Sequence, residues 1–371
     1  MQSKSPIRVL VVDDSSLMRS HICSVLIENG MITDTANNGQ ECLDKIERFR
    51  PDVITLDINM PVMDGIECLR RIMYKHPMPV VMVSSLTQKN AAETLTALDI
   101  GAVDYVAKPD GSVSLKLNRD KYMLVSKVIN ASKITMRSNA QASSQRDLAK
   151  PREPITARHV AVPDTAFSSS NNVTPLQRLA ASAFDAVIIG VSTGGPSALQ
   201  EIIPKLPANF PYPIVIAQHM PARFTAVFAE RLDKISAVTV KEINAPKTLK
   251  PGVVYIAQGD ANVEMYAQGN QLGARPDNKE SPHIWRPSIT KLVESALKVA
   301  PAKRLCFVQL TGMGNDGAQA MASAHAQGAT TIAESEQTAA VYGMPKELVK
   351  LGGASMVLPN YDIAQALLAL K

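Results

Sequence analysis

Ile7-Arg8-Val9-Leu10-Val11-Val12 runs into Asp13-Asp14, and Val53-Ile54-Thr55-Leu56 runs into Asp57. Both are short apolar runs rich in β-branched residues, the pattern of a buried strand, and each is closed by carboxylates. Similar runs near 31–36, 79–83 and 103–106 alternate with helical stretches as far as about Ser126. Five βα units imply a doubly wound parallel sheet. Ligands of such a sheet sit outside the carboxyl ends of the strands, where strand order reverses, and Asp13, Asp14 and Asp57 all fall at such ends. Clustered carboxylates are costly unless a hard cation neutralises them, and Mg²⁺ with oxygen ligands is the usual solution, one that also gathers phosphoryl oxygens. Ser84 follows the run Val80 to Val83, while Lys108 and Pro109 follow Tyr105-Val106-Ala107. Lys108 is expected to pair with a phosphoryl charge and Ser84 to hydrogen-bond a phosphoryl oxygen. Tyr105 is expected to turn inward into the space that Ser84 leaves, which makes a two-state element.

The chain has 371 residues, 46% hydrophobic and 20% charged, too many for one ordinary core. Two globular domains are expected at 1–126 and 183–371. The intervening residues 127–182 are rich in Ser, Asn, Gln, Pro and Arg, as in SNAQASSQRDLAKPREP, and read as a flexible linker. No apolar run reaches the length of a membrane span and the first residues lack a signal-peptide core, so a cytoplasmic protein is expected. Cys23, Cys42, Cys68 and Cys306 show no paired spacing, which favours reduced packing residues over a disulfide frame or zinc site. A net charge of +5 without a dense Lys/Arg run makes nucleic acid a weak candidate partner.

In the second half, Ala186-Val187-Ile188-Ile189-Gly190-Val191-Ser192-Thr193-Gly194-Gly195-Pro196 reads as strand, Gly-rich turn and helix. Gly190, Ser192 and Gly194 fit the GxSxG pattern, in which a sharp turn exposes a hydroxyl and aims a following backbone N–H at a developing oxyanion. His219 follows a strand at 214–218 and Asp316 follows one at 305–309, so all three residues reach one sheet edge if those strands pair. His219 would then take the Ser192 proton and Asp316 would fix the imidazole tautomer. The backbone N–H groups near Thr193 and Met313 are the natural oxyanion donors. The turn-rich text from Val238 to Gly273 suggests a β-hairpin insert. A competing reading makes GVSTGG a nucleotide-phosphate loop and the protein a phosphorylation-controlled binding module. Against it, Ser192 stands at the second glycine of GxGxxG and no acidic residue ends the next strand.

VLVVDDSSLMR, TLDINMPVMDGIE, VVMVSS and DYVAKP resemble the receiver domain of two-component response regulators, a flavodoxin-like fold. The resemblance implies that Asp57 accepts a phosphoryl group from a chemotaxis histidine kinase and that Ser84, Tyr105 and Lys108 sense it. It also implies that Asp14 and Asp57, with Asp13 in the same acidic set and the backbone of Asn59, hold Mg²⁺. IIGVSTGGP, IAQHMPARFT, PGVVYIAQGD, RPSITKLVESA and LTGMGNDGA resemble the chemotaxis methylesterase effector domain, a Rossmann-like α/β fold. By that resemblance Ser192, His219 and Asp316 hydrolyse glutamate γ-methyl esters on chemoreceptors without a cofactor, with glutamine deamidation possible at the same site. A folded helical substrate calls for a shallow, open cleft, with Arg223 near its rim. His283 and Trp285 flank the site segment without an assigned role.

Overall fold

The computed structural model describes residues 5–85, 87–108, 114–134, 184–279, 283 and 285–370. The first sheet contains β1 (Arg8–Val12), β2 (Ile32–Ala36), β3 (Val53–Asp57), β4 (Val80–Ser84) and β5 (Asp104–Ala107), all parallel in the order β2-β1-β3-β4-β5. Strand order reverses between β1 and β3, and Val12 pairs with Leu56 there, so Asp13 and Asp57 leave neighbouring strand ends. Helices α1 (Ser16–Glu28), α2 (Gly39–Phe49), α3 (Gly65–Lys75), α4 (Gln88–Ile100) and α5 (Ser114–Ala131) cover the two faces. Four of them start at a side-chain cap: Ser15, Asn38, Asp64 and Thr87 accept from the N–H groups of Met18, Glu41, Glu67 and Asn90. Such caps satisfy donors that the helix itself leaves orphaned.

Helix α5 continues past the expected boundary at 126. Val128 and Ala131 are buried against Val9, Val11 and Val81, so the apolar face of the helix holds residues 127–131 to the sheet instead of releasing them into a linker. The remainder of the expected linker lies, from 135 on, outside the described residues, as does Pro109.

The second sheet has seven parallel strands in the order β15-β14-β13-β6-β7-β10-β8. They are β6 (Ala186–Val191), β7 (Ile214–Gln218), β8 (Thr239–Ile243), β10 (Val253–Ala257), β13 (Leu305–Gln309), β14 (Thr330–Glu334) and β15 (Met356–Leu358). A small antiparallel sheet of β9 (Lys247–Thr248), β11 (Asn262–Gln268) and β12 (Gln271–Asp277) sits beside it. The expected hairpin insert is therefore only partly a hairpin. Val254 to Ala257 are all buried and pair parallel with β7, because a wholly apolar strand needs cover on both faces, which the central sheet supplies. Helices α6 (Gly195–Ile202), α7 (Ala222–Ile235), α8 (Ile289–Val299), α9 (Ala318–Ala326), α10 (Met344–Lys350) and α11 (Asn360–Leu368) complete the unit.

The two units touch. Helix α4 lies along α7, with Arg231 ion-paired to Asp99 and 3.4 Å from the Thr96 hydroxyl. The Tyr105 ring stacks on Phe224 at 4.8 Å between centroids and 3° between planes. Both rings are buried, and such a pair adds about 0.5–1.5 kcal/mol beyond its area burial. No helix among the described residues is long and apolar enough to cross a membrane.

Candidate active site

Strands β13, β6 and β7 are neighbours, so the pairing on which convergence depends is present. Ser192 follows β6, His219 follows β7 and Asp316 lies in the loop between β13 and α9. His219 Nδ1 is 3.1 Å from Ser192 Oγ, and His219 Nε2 is 2.9 Å from Asp316 Oδ2. The two ring nitrogens are thus exchanged relative to the usual serine triad, in which Nε2 faces the serine. A proton on Nε2, donated to Asp316, leaves Nδ1 free to accept from the Ser192 hydroxyl.

Asp316 is held by more than the histidine. Its Oδ2 also accepts from Ile289 N–H at 2.8 Å, and Oδ1 accepts from Ser288 Oγ, Thr290 N–H and Thr290 Oγ1 at 3.2, 3.0 and 2.7 Å. Burial works to raise its pKa, but His219 and the Thr290 donors outweigh it and hold the carboxyl well below the usual carboxylate range. It remains an anion beside the imidazole. Trp285 covers a face of the imidazole, its ring stacked on His219 at 4.5 Å between centroids and 5° between planes.

The nucleophile turn and the Gly-rich loop are laced together. Ser192 N–H donates to Thr311 O at 3.0 Å, and Thr311 Oγ1 donates to Thr193 O at 2.9 Å. Gly194 has φ +76°, and a Cβ there would come within 2.5 Å of Ala340 Cβ, so only glycine fits this turn. Among the described residues neither Thr193 N–H nor Met313 N–H has an acceptor; Thr193 follows Ser192, and Gly312, which precedes Met313, is close enough that a Cβ on it would come within 2.7 Å of Ser192 Cβ.

Ser192, His219 and Asp316 are only 6, 7 and 8% exposed. The first domain abuts this edge: Thr193 Oγ1 donates to Asp104 Oδ2 at 2.5 Å, and Asn130 Nδ2 meets Met313 Sδ. Lys127 completes this junction, bonding Asp104 Oδ1 and Tyr105 O at 2.7 Å each. Arg223 is exposed at the start of α7, and His283 is half-buried.

At the first sheet, ligand oxygens of Asp13, Asp14 and Asp57 lie within 4.8 Å of one another. Lys108 Nζ bridges Asp13 Oδ2 and Asp57 Oδ2, 2.8 Å from each. Burial, opposed by Lys108, raises the Asp57 pKa, whereas for Lys108 the pull of Asp13 and Asp57 exceeds the effect of burial and raises it. Ser84 is buried at the end of β4, and its O accepts from Lys108 N–H at 2.8 Å. Asn59 is exposed at the pocket, with its side chain donating to Asn90 Oδ1 at 3.2 Å.

Sequence reasoning missed Ser288, Thr290, Asp104 and Lys127. Ser288 directly precedes the helical period Ile289-Leu292-Val293-Ala296, so a helix N-terminus was signalled there. Nothing in the order of residues indicates that Asp316 sits on it.

A CheB methylesterase family model matches residues 187–367, and a response regulator receiver domain model matches 9–117. A Rhodospirillum rubrum protein named protein-glutamate methylesterase/protein-glutamine glutaminase 3 is 47% identical, aligned over 96% of this chain and 94% of its own. A Rhodopseudomonas palustris protein named protein-glutamate methylesterase/protein-glutamine glutaminase 2 is 44% identical over 98% and 97%. The crystal structure of the Thermotoga maritima CheB methylesterase catalytic domain is 41% identical and covers 51% of this chain and 100% of that one, with a TM-score of 0.49. The nucleotide-loop alternative finds no support among these matches. With receiver and effector matched in this order and near-full-length identity of this size, the chain belongs to the CheB methylesterase family.

Proposed function

We propose that the chain hydrolyses γ-methyl esters of glutamate on chemoreceptor proteins, and deamidates glutamine at the same site, under control of Asp57 phosphorylation. The observation that carries this reading is the Ser192–His219–Asp316 chain of hydrogen bonds, in a protein so similar to relatives named for both activities. Ser192 Oγ attacks the ester carbonyl carbon as its proton passes to His219 Nδ1. Thr193 N–H and Met313 N–H receive the oxyanion, where a positioned donor is worth about 10²- to 10³-fold. The imidazolium then gives its proton to the departing methoxide, methanol leaves, and water activated by His219 frees the glutamate carboxylate from Ser192. With an amide substrate ammonia leaves instead. Methanol release from methylated receptor, measured for wild type and Ser192→Ala with and without a small phosphodonor, tests the reading. Release that survives Ser192→Ala ends it.

Asp57 accepts the phosphoryl group from a histidine kinase. Asp13, Asp14 and Asp57 with the Asn59 carbonyl are an all-oxygen set that fits Mg²⁺, and the ion, when bound, offsets charge on the phosphoryl oxygens. Lys108 and Ser84 contact the phosphoryl group, and Tyr105 answers by leaving Phe224. EDTA is expected to abolish stimulation by phosphodonor and to leave the unstimulated methanol release unchanged, because the described residues place no metal cluster at the serine. A cytoplasmic location suits four unpaired cysteines.

In the unphosphorylated state the receiver, through Ala131, occludes the catalytic domain that begins near Phe184. Asp99→Arg sets a like charge against Arg231 on partly exposed side chains, away from both cores. Unstimulated methanol release is expected to rise roughly fivefold, the low end of ordinary coupling energies, and Arg231→Asp in the same chain should reverse the gain. An unchanged rate in Asp99→Arg counts against occlusion.

A further inference from the structure

Gln218, the last residue of β7, is 1% exposed and has no part in the proton transfers above. Its Nε2 donates to Ser192 O at 2.9 Å and to His219 O at 3.2 Å. Both partners are carbonyls, so the amide nitrogen must face them. Gly195 N–H also donates to Ser192 O, at 2.9 Å. In a planar trans peptide the C=O of one residue and the N–H of the next point in opposite directions. Fixing Ser192 O therefore fixes the direction of Thr193 N–H. Donation to a carbonyl also polarises its peptide unit, which strengthens the N–H at the other end as a donor.

The second donor is built in the same way: Gly312 O accepts from Gly343 N–H and Met344 N–H at 3.2 and 2.8 Å, which aims Met313 N–H. That clamp is wholly main chain. Gln218 is the side chain through which the pattern can be altered. Its Oε1 has no hydrogen-bond partner among the described residues and lies where a Cβ on Gly195 would come within 2.0 Å. A buried acceptor left unmatched is unfavourable, and a methionine of similar length would fill the space without it. Stability alone does not account for a glutamine here.

We propose that Gln218 is a positioning residue of the esterase, clamping the Ser192–Thr193 peptide plane so that Thr193 N–H faces the oxyanion. The inference rests on the triad reading above. The test uses the full chain with small phosphodonor and methylated receptor, comparing wild type, Gln218→Met, Gln218→Glu and Ser192→Ala. Gln218→Met removes both donors with an apolar group, and Gln218→Glu leaves at most one, the O–H of a protonated carboxyl. A loss in kcat of about 10- to 100-fold is expected, part of what deleting a whole oxyanion donor costs. KM is expected to stay within about twofold, since the clamp acts in the transition state. In Gln218→Met the midpoint of the kcat–pH profile should not move, because that variant brings no charge to the His219–Asp316 pair. The Thr193 amide proton resonance should shift upfield.

A folded Gln218→Met that keeps wild-type kcat overturns the proposal, as does a loss of kcat in Gln218→Met with a displaced pH midpoint, which assigns the effect to His219. Failure of both variants to fold also overturns it, by assigning Gln218 to the fold. Wild type active, Ser192→Ala silent and Gln218→Met unimpaired removes the Gln218 role alone. Activity in Ser192→Ala removes the triad reading and the clamp together.

Discussion

Ser192→Ala is expected to lower methanol release by about 10⁶-fold, the loss found when the nucleophile of a serine triad is removed from an otherwise intact site. The change deletes one oxygen and leaves the turn in place. Ser192 N–H still donates to Thr311 O, and Ser192 O still accepts from Gly195 and Gln218. Melting temperature and Asp57 phosphorylation should match wild type, so the loss reads chemistry and not folding. Residual hydrolysis would come from water placed between His219 and the two N–H groups.

Asp316→Asn is expected to cost about 10⁴-fold in kcat, the size seen when a triad aspartate becomes an amide and the wrong imidazole tautomer results. Neither amide orientation fits. With NH₂ toward His219, the imidazole proton moves from Nε2 to Nδ1, which then cannot accept from Ser192. With NH₂ toward Thr290, it confronts Thr290 N–H, already 3.0 Å from that oxygen. The same variant alters acid stability. Because the folded-state pKa of Asp316 is depressed, its contribution is present above the ordinary carboxylate pKa near about 3.9 and is lost as pH falls from there. Thermal melts on the acid side should therefore decline less steeply for Asp316→Asn than for wild type.

Much of this site was legible because its residues stand at strand ends. A carboxylate closing an apolar run announces itself, and the strand-end rule gathers Asp13, Asp14 and Asp57 without knowledge of helix packing. Ser192 and His219 follow by the same rule, given that β6 and β7 pair. Residues whose role depends on elements distant in sequence were not legible. Asp104 binds Thr193 from 89 positions away, and Thr290 reaches Asp316 across a helix-to-loop crossing that no periodicity encodes. The stretch Val253 to Ala257 was misread as hairpin because turn-rich flanks outweighed its uniform apolarity, and burial on both faces decides in favour of the central sheet.

The receiver's α4–β5 face is already occupied, by Phe224 on Tyr105, Arg231 on Asp99 and Thr193 on Asp104. Two bodies cannot hold one surface at once. Any protein that grips this face competes with the chain's own enzyme for it and, on the occlusion proposed above, would by mass action free the esterase without transferring a phosphoryl group. Reciprocally, the docked enzyme weakens that protein's affinity by the same factor. On that proposal, output from this molecule would report the concentration of receiver-binding neighbours as well as the flux of phosphoryl groups.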